Sequence, residues 1–259
     1  MLRKLLKYDL ENIFKFLSVF YLLTFIFAIL TRIFSEIEGI YLIKIIGMVC
    51  NGAFISMIFN ILINNLMRMW VRVKNNFYGD ASYLTHTLPV EKKSLYLSMA
   101  ITTIVSLFVS MLVIGGSVVI AYGYSDISNL IKTMLLQDSD FNVSLIVSFV
   151  FILFLEFLNV MNCGITGIIL GHKMNDLKVV FSVIFGFVTF MVTQSFTLIG
   201  IMGVCLFNRD FMDVILKSDA IGLDTIKVLI CISMIMYTLL VIIINFVNIK
   251  LFNKGVNVD

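Results

Sequence analysis

The chain has 259 residues, of which 60% are hydrophobic and only 14% are charged, and its mean hydropathy is +1.05. Because soluble domains carry about 25% charged residues, this composition indicates an integral membrane protein and excludes a soluble enzyme. One proline and 15 glycines exclude collagen-like and low-complexity chains. The net charge of +3 is too small to indicate a nucleic-acid partner.

The N-terminal segment, residues 1–15, has the pattern of an amphipathic helix. Apolar residues recur at helical spacing from Leu2 to Ile13, and Arg3, Lys4 and Lys7 lie between them. This arrangement is typical of a helix that lies in the membrane interface, in contact with lipid. We therefore predict an interfacial helix over residues 1–15. The alternative is that these residues are a cytoplasmic extension of the first span.

Six apolar stretches of 19 to 29 residues follow, long enough to cross a hydrocarbon core of about 30 Å, which needs about 20 residues. They cover residues 16–34, 40–66, 94–122, 143–170, 179–207 and 226–249. No internal repeat divides the chain. The predicted fold class is therefore an all-α integral membrane protein, with six transmembrane helices in a single transmembrane domain, 1–259.

The positions of the basic residues predict the orientation. Six spans place both termini on one side of the membrane, together with the second and fourth connections. Of the 19 Lys and Arg residues, thirteen lie on that side: Arg3, Lys4, Lys7, Lys15, Arg68, Arg72, Lys74, Lys92, Lys93, Lys173, Lys178, Lys250 and Lys254. Cytoplasmic loops carry such an excess, so we expect both termini in the cytoplasm.

The sequence lacks the motifs of an enzyme. No phosphate-binding Gly-x-x-x-x-Gly-Lys loop, His-Glu-x-x-His pair or Gly-x-Ser-x-Gly elbow is found. The two histidines, His86 and His172, fall in different connections and read as solvated loop residues. We predict no catalytic residue, no metal site and no cofactor bound by this chain.

The connection between the second and third spans, residues 68–93, combines charged residues with the aromatic residues Trp70, Phe77, Tyr78 and Tyr83. Aromatic residues flanked by charges are typical of subunit interfaces. Trp70 and Phe77 have a second interpretation, as anchors at the membrane surface. The connection is therefore a candidate docking segment for a partner protein.

Within this connection, Gly79-Asp-Ala-Ser-Tyr-Leu-Thr-His-Thr-Leu-Pro-Val90 resembles the Gly-Tyr-Leu-Thr-x-Thr-Leu-Pro-Val segment of bacterial ABC type-two permeases, the membrane subunits of ATP-driven exporters. The six-span count, the basic N-terminal helix and the Gly171-His172-Lys173 turn agree with that family along nearly the whole chain. Ser82 is a departure, because the family often has glycine before the tyrosine.

The resemblance implies a permease subunit in the bacterial cytoplasmic membrane, paired with an identical or different permease. Separate cytoplasmic ABC ATPase subunits would bind ATP and Mg. The segment would be a coupling helix in which seven residues serve ATPase coupling: Asp80, Tyr83, Leu84, Thr85, His86, Leu88 and Pro89. Pro89 also suits the first turn of the third span, where its missing N–H costs nothing.

Polar residues in the fourth and fifth spans are candidates for a translocation path. Glu156, Asn159 and Thr166 share one face of the fourth span, and Thr189 and Thr193 belong to a polar stripe of the fifth. An ionised carboxylate at mid-membrane costs about 2.5 kcal/mol or more, so Glu156 either lines the path or packs against another helix. Both interpretations stay open. The sparse intramembrane charge favours an amphipathic substrate, such as a peptide, drug or lipid-like molecule.

Two other classes of function compete with a permease. A non-transporting membrane protein that binds a peptide, confers immunity or senses a ligand would need the same spans and no ATPase. An intramembrane enzyme using Glu156 and a histidine is disfavoured, because both histidines are expected at the cytoplasmic side.

The orientation is tested by cysteine accessibility. A single cysteine at Lys74 should react with a membrane-impermeant reagent only after cells are opened, because the second connection is expected in the cytoplasm. A cysteine at Asp138, in the third connection, should react in intact cells. Labelling at position 74 in intact cells would contradict the orientation.

Overall fold

The computed structural model describes residues 2–37, 41–79, 82–87, 91–123, 143–207 and 223–253. Within these ranges all regular secondary structure is helical. The helices are α1 (Leu2–Glu36), α2 (Tyr41–Tyr78), α3 (Ser82–Thr87), α4 (Lys92–Tyr122), α5 (Val143–Gly171), α6 (Lys178–Phe207) and α7 (Leu223–Asn253). All except α3 are long and apolar enough to cross a membrane, which confirms the prediction of six helices of this kind.

Several helices are longer than the apolar stretches that predicted them. The 38 residues of α2 correspond to about 57 Å at 1.5 Å per residue, whereas a hydrocarbon core is about 30 Å thick. An apolar stretch ends where charged residues begin, but the helical backbone hydrogen bonds continue through the charged residues. The first part of the predicted 68–93 connection is therefore helix, and residues 2–15 continue the helix of the first span without a break.

The helices form two compact units. Unit 1 contains residues 1–69 and 97–139, and unit 2 contains residues 70–96 and 140–259. Two of the three division points fall inside helices, between residues 69 and 70 of α2 and between residues 96 and 97 of α4.

Unit 1 is held together by buried hydroxyl and amide groups. Asn65 Nδ2 donates to Ser110 Oγ at 2.8 Å, and Ser106 Oγ donates to Asn65 Oδ1 at 3.1 Å. The Tyr21 hydroxyl pairs with the same Ser110 at 2.7 Å. Such interhelical hydrogen bonds stabilise contacts between helices in lipid, where the hydrophobic effect does not draw helices together. They join α1, α2 and α4.

In unit 2, α5 packs against both α6 and α7. The α5–α6 contact is close because two α5 glycines face small residues of α6: a Cβ added at Gly167 would lie 2.4 Å from the Ser182 carbonyl oxygen and 2.5 Å from the Gly186 nitrogen, and one added at Gly171 would lie 2.4 Å from the Ser182 nitrogen. Small residues at such contacts allow helices to approach one another.

Replacing Gly167 tests the α5–α6 contact. Gly167→Ala should destabilise the protein by about 1–3 kcal/mol, because the new methyl group meets backbone atoms that are held in a neighbouring helix. The control is Gly115→Ala in α4, where no described atom lies within 4 Å of an added Cβ. Thermal unfolding in detergent measures both. Equal melting temperatures for the two variants would contradict the contact.

Candidate functional site

The short helix α3 forms the segment that was predicted to couple to an ATPase. The Ser82 N–H donates to the Gly79 carbonyl at 2.8 Å, which starts α3 directly after α2. The Tyr83 side chain is 62% exposed. Leu84, Thr85 and His86 belong to α3, but their side chains lie outside the described part of the structure, as do the whole residues Asp80, Leu88 and Pro89. Tyr83 is thus the predicted coupling residue whose exposure the structure gives.

Ser82 occupies the position where the permease family often has glycine. Its side chain is fully buried, and its hydroxyl has no hydrogen-bond partner among the described residues. A buried hydroxyl without a partner costs about 1–3 kcal/mol. The departure from glycine therefore places a buried polar group, unsatisfied by the described residues, next to the exposed Tyr83 in the chain.

The aromatic residues that precede α3 contact their own chain. Phe77 is only 5% exposed, and its ring lies 4.9 Å from that of Phe252. Tyr78 stacks on His172 with ring centroids 4.3 Å apart. Trp70 Nε1 donates to the Met161 carbonyl at 3.2 Å. The expectation that these rings are free for a partner is wrong, because α2 continues as a helix and packs them within unit 2.

The sequence contains a signal for this packing. Met69, Val73 and Phe77 are all buried, and they follow one another at intervals of four residues. This spacing continues the helical periodicity of the second span into the charged region. Hydropathy alone assigns the region to a connection.

His172 is buried beside this aromatic group and is not a solvated loop residue. Its Nδ1 lies 2.9 Å from the Ile168 carbonyl oxygen. Burial lowers the pKa of His172 below its ordinary value, and the charges of Lys178 and Lys74 lower it further, against the opposing effect of the Ile168 contact. An unperturbed histidine has a pKa of about 6.5, so the imidazole that stacks on Tyr78 is neutral at pH 7.

Three of the five predicted path residues bond to another helix, and a fourth, Thr189, bonds within its own helix. Asn159 Nδ2 donates to Thr193 Oγ1 at 3.0 Å, and both side chains are buried. Thr166 Oγ1 lies 2.8 Å from Asn248 Oδ1 in α7, and Thr189 Oγ1 donates to the Phe185 carbonyl within α6. These contacts correspond to the packing interpretation of the polar stripes.

Glu156 is the exception among the five. Its side chain is half-buried near the middle of α5, and no Lys, Arg or His of the described residues forms an ion pair with it. An ionised carboxylate at this depth costs about 2.5–3.5 kcal/mol. The described part of the chain does not compensate that cost.

Two residues that sequence reasoning missed lie at the level of Glu156. The Tyr237 hydroxyl of α7 donates to Gln194 Oε1 of α6 at 3.3 Å. The Asn159–Thr193 and Thr166–Asn248 bonds set the register that brings both residues to about the level of Glu156 along the helices. Both residues lie near the middle of their helices. We call Glu156, Gln194 and Tyr237 the mid-membrane group.

Comparisons with protein-family models, with curated proteins and with solved structures find no match. The resemblance to type-two permeases therefore depends on the residues of the 79–90 segment and on the arrangement of the spans.

The packing of Trp70 against α5 is tested by Gly164→Ala. A Cβ at Gly164 would lie 2.2 Å from two atoms of the Trp70 indole ring. The ring must therefore move away from α5 and lose its hydrogen bond to the Met161 carbonyl. Trp70 is the only tryptophan, and its emission should move to longer wavelength as it becomes more exposed. The control is Gly116→Ala, where no described atom lies within 4 Å of the added carbon. An unchanged spectrum for Gly164→Ala would contradict the contact.

Proposed function

We propose that this chain is the permease subunit of an ATP-binding-cassette exporter in the bacterial cytoplasmic membrane. Two permeases, identical or different, form the translocation path, and separate cytoplasmic ATPase subunits bind ATP and Mg and supply the energy. The chain itself is not an enzyme. Its substrate is an amphipathic molecule such as a peptide, a drug or a lipid-like compound.

The observation that carries the proposal is a short helix with an exposed tyrosine between two spanning helices. Only three residues separate α2 from α3, and Tyr83 is exposed while its neighbour Ser82 is buried. Large exposed aromatic residues are common anchors of protein interfaces. We assign α3 as the coupling helix, with Tyr83 and Leu84 as the residues that enter a pocket of the ATPase.

The contacts made by the ends of α2 and α4 that adjoin α3 support a mechanical role. Phe77 and Tyr96 both pack near Phe252 of α7, and the Tyr96 hydroxyl donates to Asn245 Oδ1 at 2.9 Å. The two helices that flank α3 are therefore held against α7 at their ends nearest to it. A displacement of α3 by a partner is transmitted to α7 through these contacts, since packed side chains resist compression.

The N-terminal turns of α1 fit the proposed orientation, in which both termini are cytoplasmic. Arg3, Lys4 and Lys7 are exposed, at the end of the helix that the charge distribution places in the cytoplasm. We propose that residues 1–15, of which 2–15 continue the helix of the first span without a break, bring their basic side chains to the lipid headgroups, where these meet anionic lipid. Both termini are then cytoplasmic.

The coupling role is tested by Tyr83→Ala combined with Leu84→Ala. The double variant should reduce copurification with the cognate ATPase by about 30-fold, because loss of an interface anchor commonly costs about 2 kcal/mol or more. It should also abolish transport while the chain still inserts into the membrane.

The matched control is another Tyr–Leu pair at the opposite end of α2. Tyr41 and Leu42 are 81% and 65% exposed, and their replacement by alanine should leave ATPase binding unchanged. Undiminished ATPase binding and transport in the Tyr83/Leu84 variant would contradict the coupling assignment. A wild-type chain that copurifies with no ATPase would favour a non-transporting binding, immunity or sensor protein.

A further inference from the structure

The mid-membrane group contains a carboxyl group that the described residues leave without a partner. Glu156 makes no hydrogen bond to any described residue and forms no ion pair with one. Among the described basic residues of the spans, Arg32 is paired with Glu36 at 2.6 Å. Intramembrane carboxyl groups usually face protein, water or a transported species, so a positive charge that arrives from outside the chain is a suitable partner for Glu156.

The donors around Glu156 are directed elsewhere. The Tyr237 hydroxyl donates to Gln194 Oε1, Thr197 Oγ1 donates to the Thr193 carbonyl at 3.1 Å, and Asn159 Nδ2 donates to Thr193 Oγ1. These bonds fix the side chains of the layer without neutralising the carboxylate. The layer is thus ordered before a ligand enters, which lowers the entropic cost of binding.

We propose that Glu156 binds the positively charged amine of an amphipathic molecule, at the level where Tyr237 and Gln194 pair with each other. An ammonium group needs one carboxylate and gains further from a nearby aromatic face, which the Tyr237 ring can offer. A hard metal ion needs several oxygen ligands, whereas Gln194 Oε1 already accepts from Tyr237. The apolar surface of the surrounding span residues suits the tail of such a molecule. As the substrate site of an exporter this assignment rests on the proposed function, but as a binding site it stands on the geometry alone.

The experiment measures binding of labelled tetraphenylphosphonium, an apolar organic cation, to the full chain in nanodiscs without any ATPase. Wild-type protein should bind it saturably, and Glu156→Gln should weaken binding by about tenfold or more, because the amide keeps the shape and removes the charge. Glu156→Asp should retain binding. The matched control is Glu91→Gln, which removes an exposed carboxylate outside the spans and should have no effect.

Two outcomes would overturn the proposal. One is equal binding by wild type and Glu156→Gln. The other is equal displacement of the label by neutral tetraphenylmethane, which would show that the probe recognises an apolar surface and not a charge.

A measurement on the unmodified chain covers the case in which Glu156→Gln does not fold. Dicyclohexylcarbodiimide reacts with carboxyl groups in apolar surroundings, and mass spectrometry locates the product. Tetraphenylphosphonium should protect Glu156 from this reaction, while tetraphenylmethane should not. Labelling of Glu156 that is equally fast with and without the cation would overturn the site. Because no ATPase is present, failure of cation binding leaves the ATPase-docking result standing, and failure of docking leaves the cation site standing.

Discussion

Unit 2 depends on the close approach of α6 and of the Trp70 ring to α5. This approach is possible because three residues of α5 are glycines, which have no side chain. Gly164 receives the indole ring of Trp70, and Gly167 and Gly171 face Ser182 and its α6 neighbours. In lipid, helices gain little from burying apolar surface, so their association depends on tight packing and on hydrogen bonds. The same glycines thus position α6 and make room for Trp70, the first residue of α2 that belongs to unit 2.

The positions of the spans were predictable from the sequence, but their ends were not. A hydrocarbon core demands about 20 apolar residues per crossing, and each stretch that met this requirement is a helix. The ends follow backbone hydrogen bonding, which continues past the first charged residue. Trp70 and Phe77 were therefore assigned to a loop, although they lie on α2. Extending the helical periodicity beyond Arg68 would have placed them correctly, since the buried positions keep their interval of four.

The candidate sites show a similar limit. Glu156 was recognisable because a carboxyl group within an apolar run is costly in any arrangement of helices. Gln194 and Tyr237 were not, because their relation to Glu156 depends on the rotation and register of α6 and α7, which hydropathy does not encode. Asn159 and Thr193 were found as members of polar stripes, but only the structure pairs them. Residue type thus reveals an energetic cost, whereas the partner that offsets it depends on tertiary packing.

The length of α2 has a geometric consequence for any motion that begins near α3. A helix of 38 residues that tilts as a rigid rod by about 10° moves one end relative to the other by about 10 Å sideways, given its length of about 57 Å. Tyr41 and Tyr78 stand at the two ends of this rod. A small angular change at the end next to α3 is therefore converted into a displacement wider than a helix backbone at the far end. Amplification of this kind requires no hinge in the helix itself, only freedom for its neighbours to let it pivot.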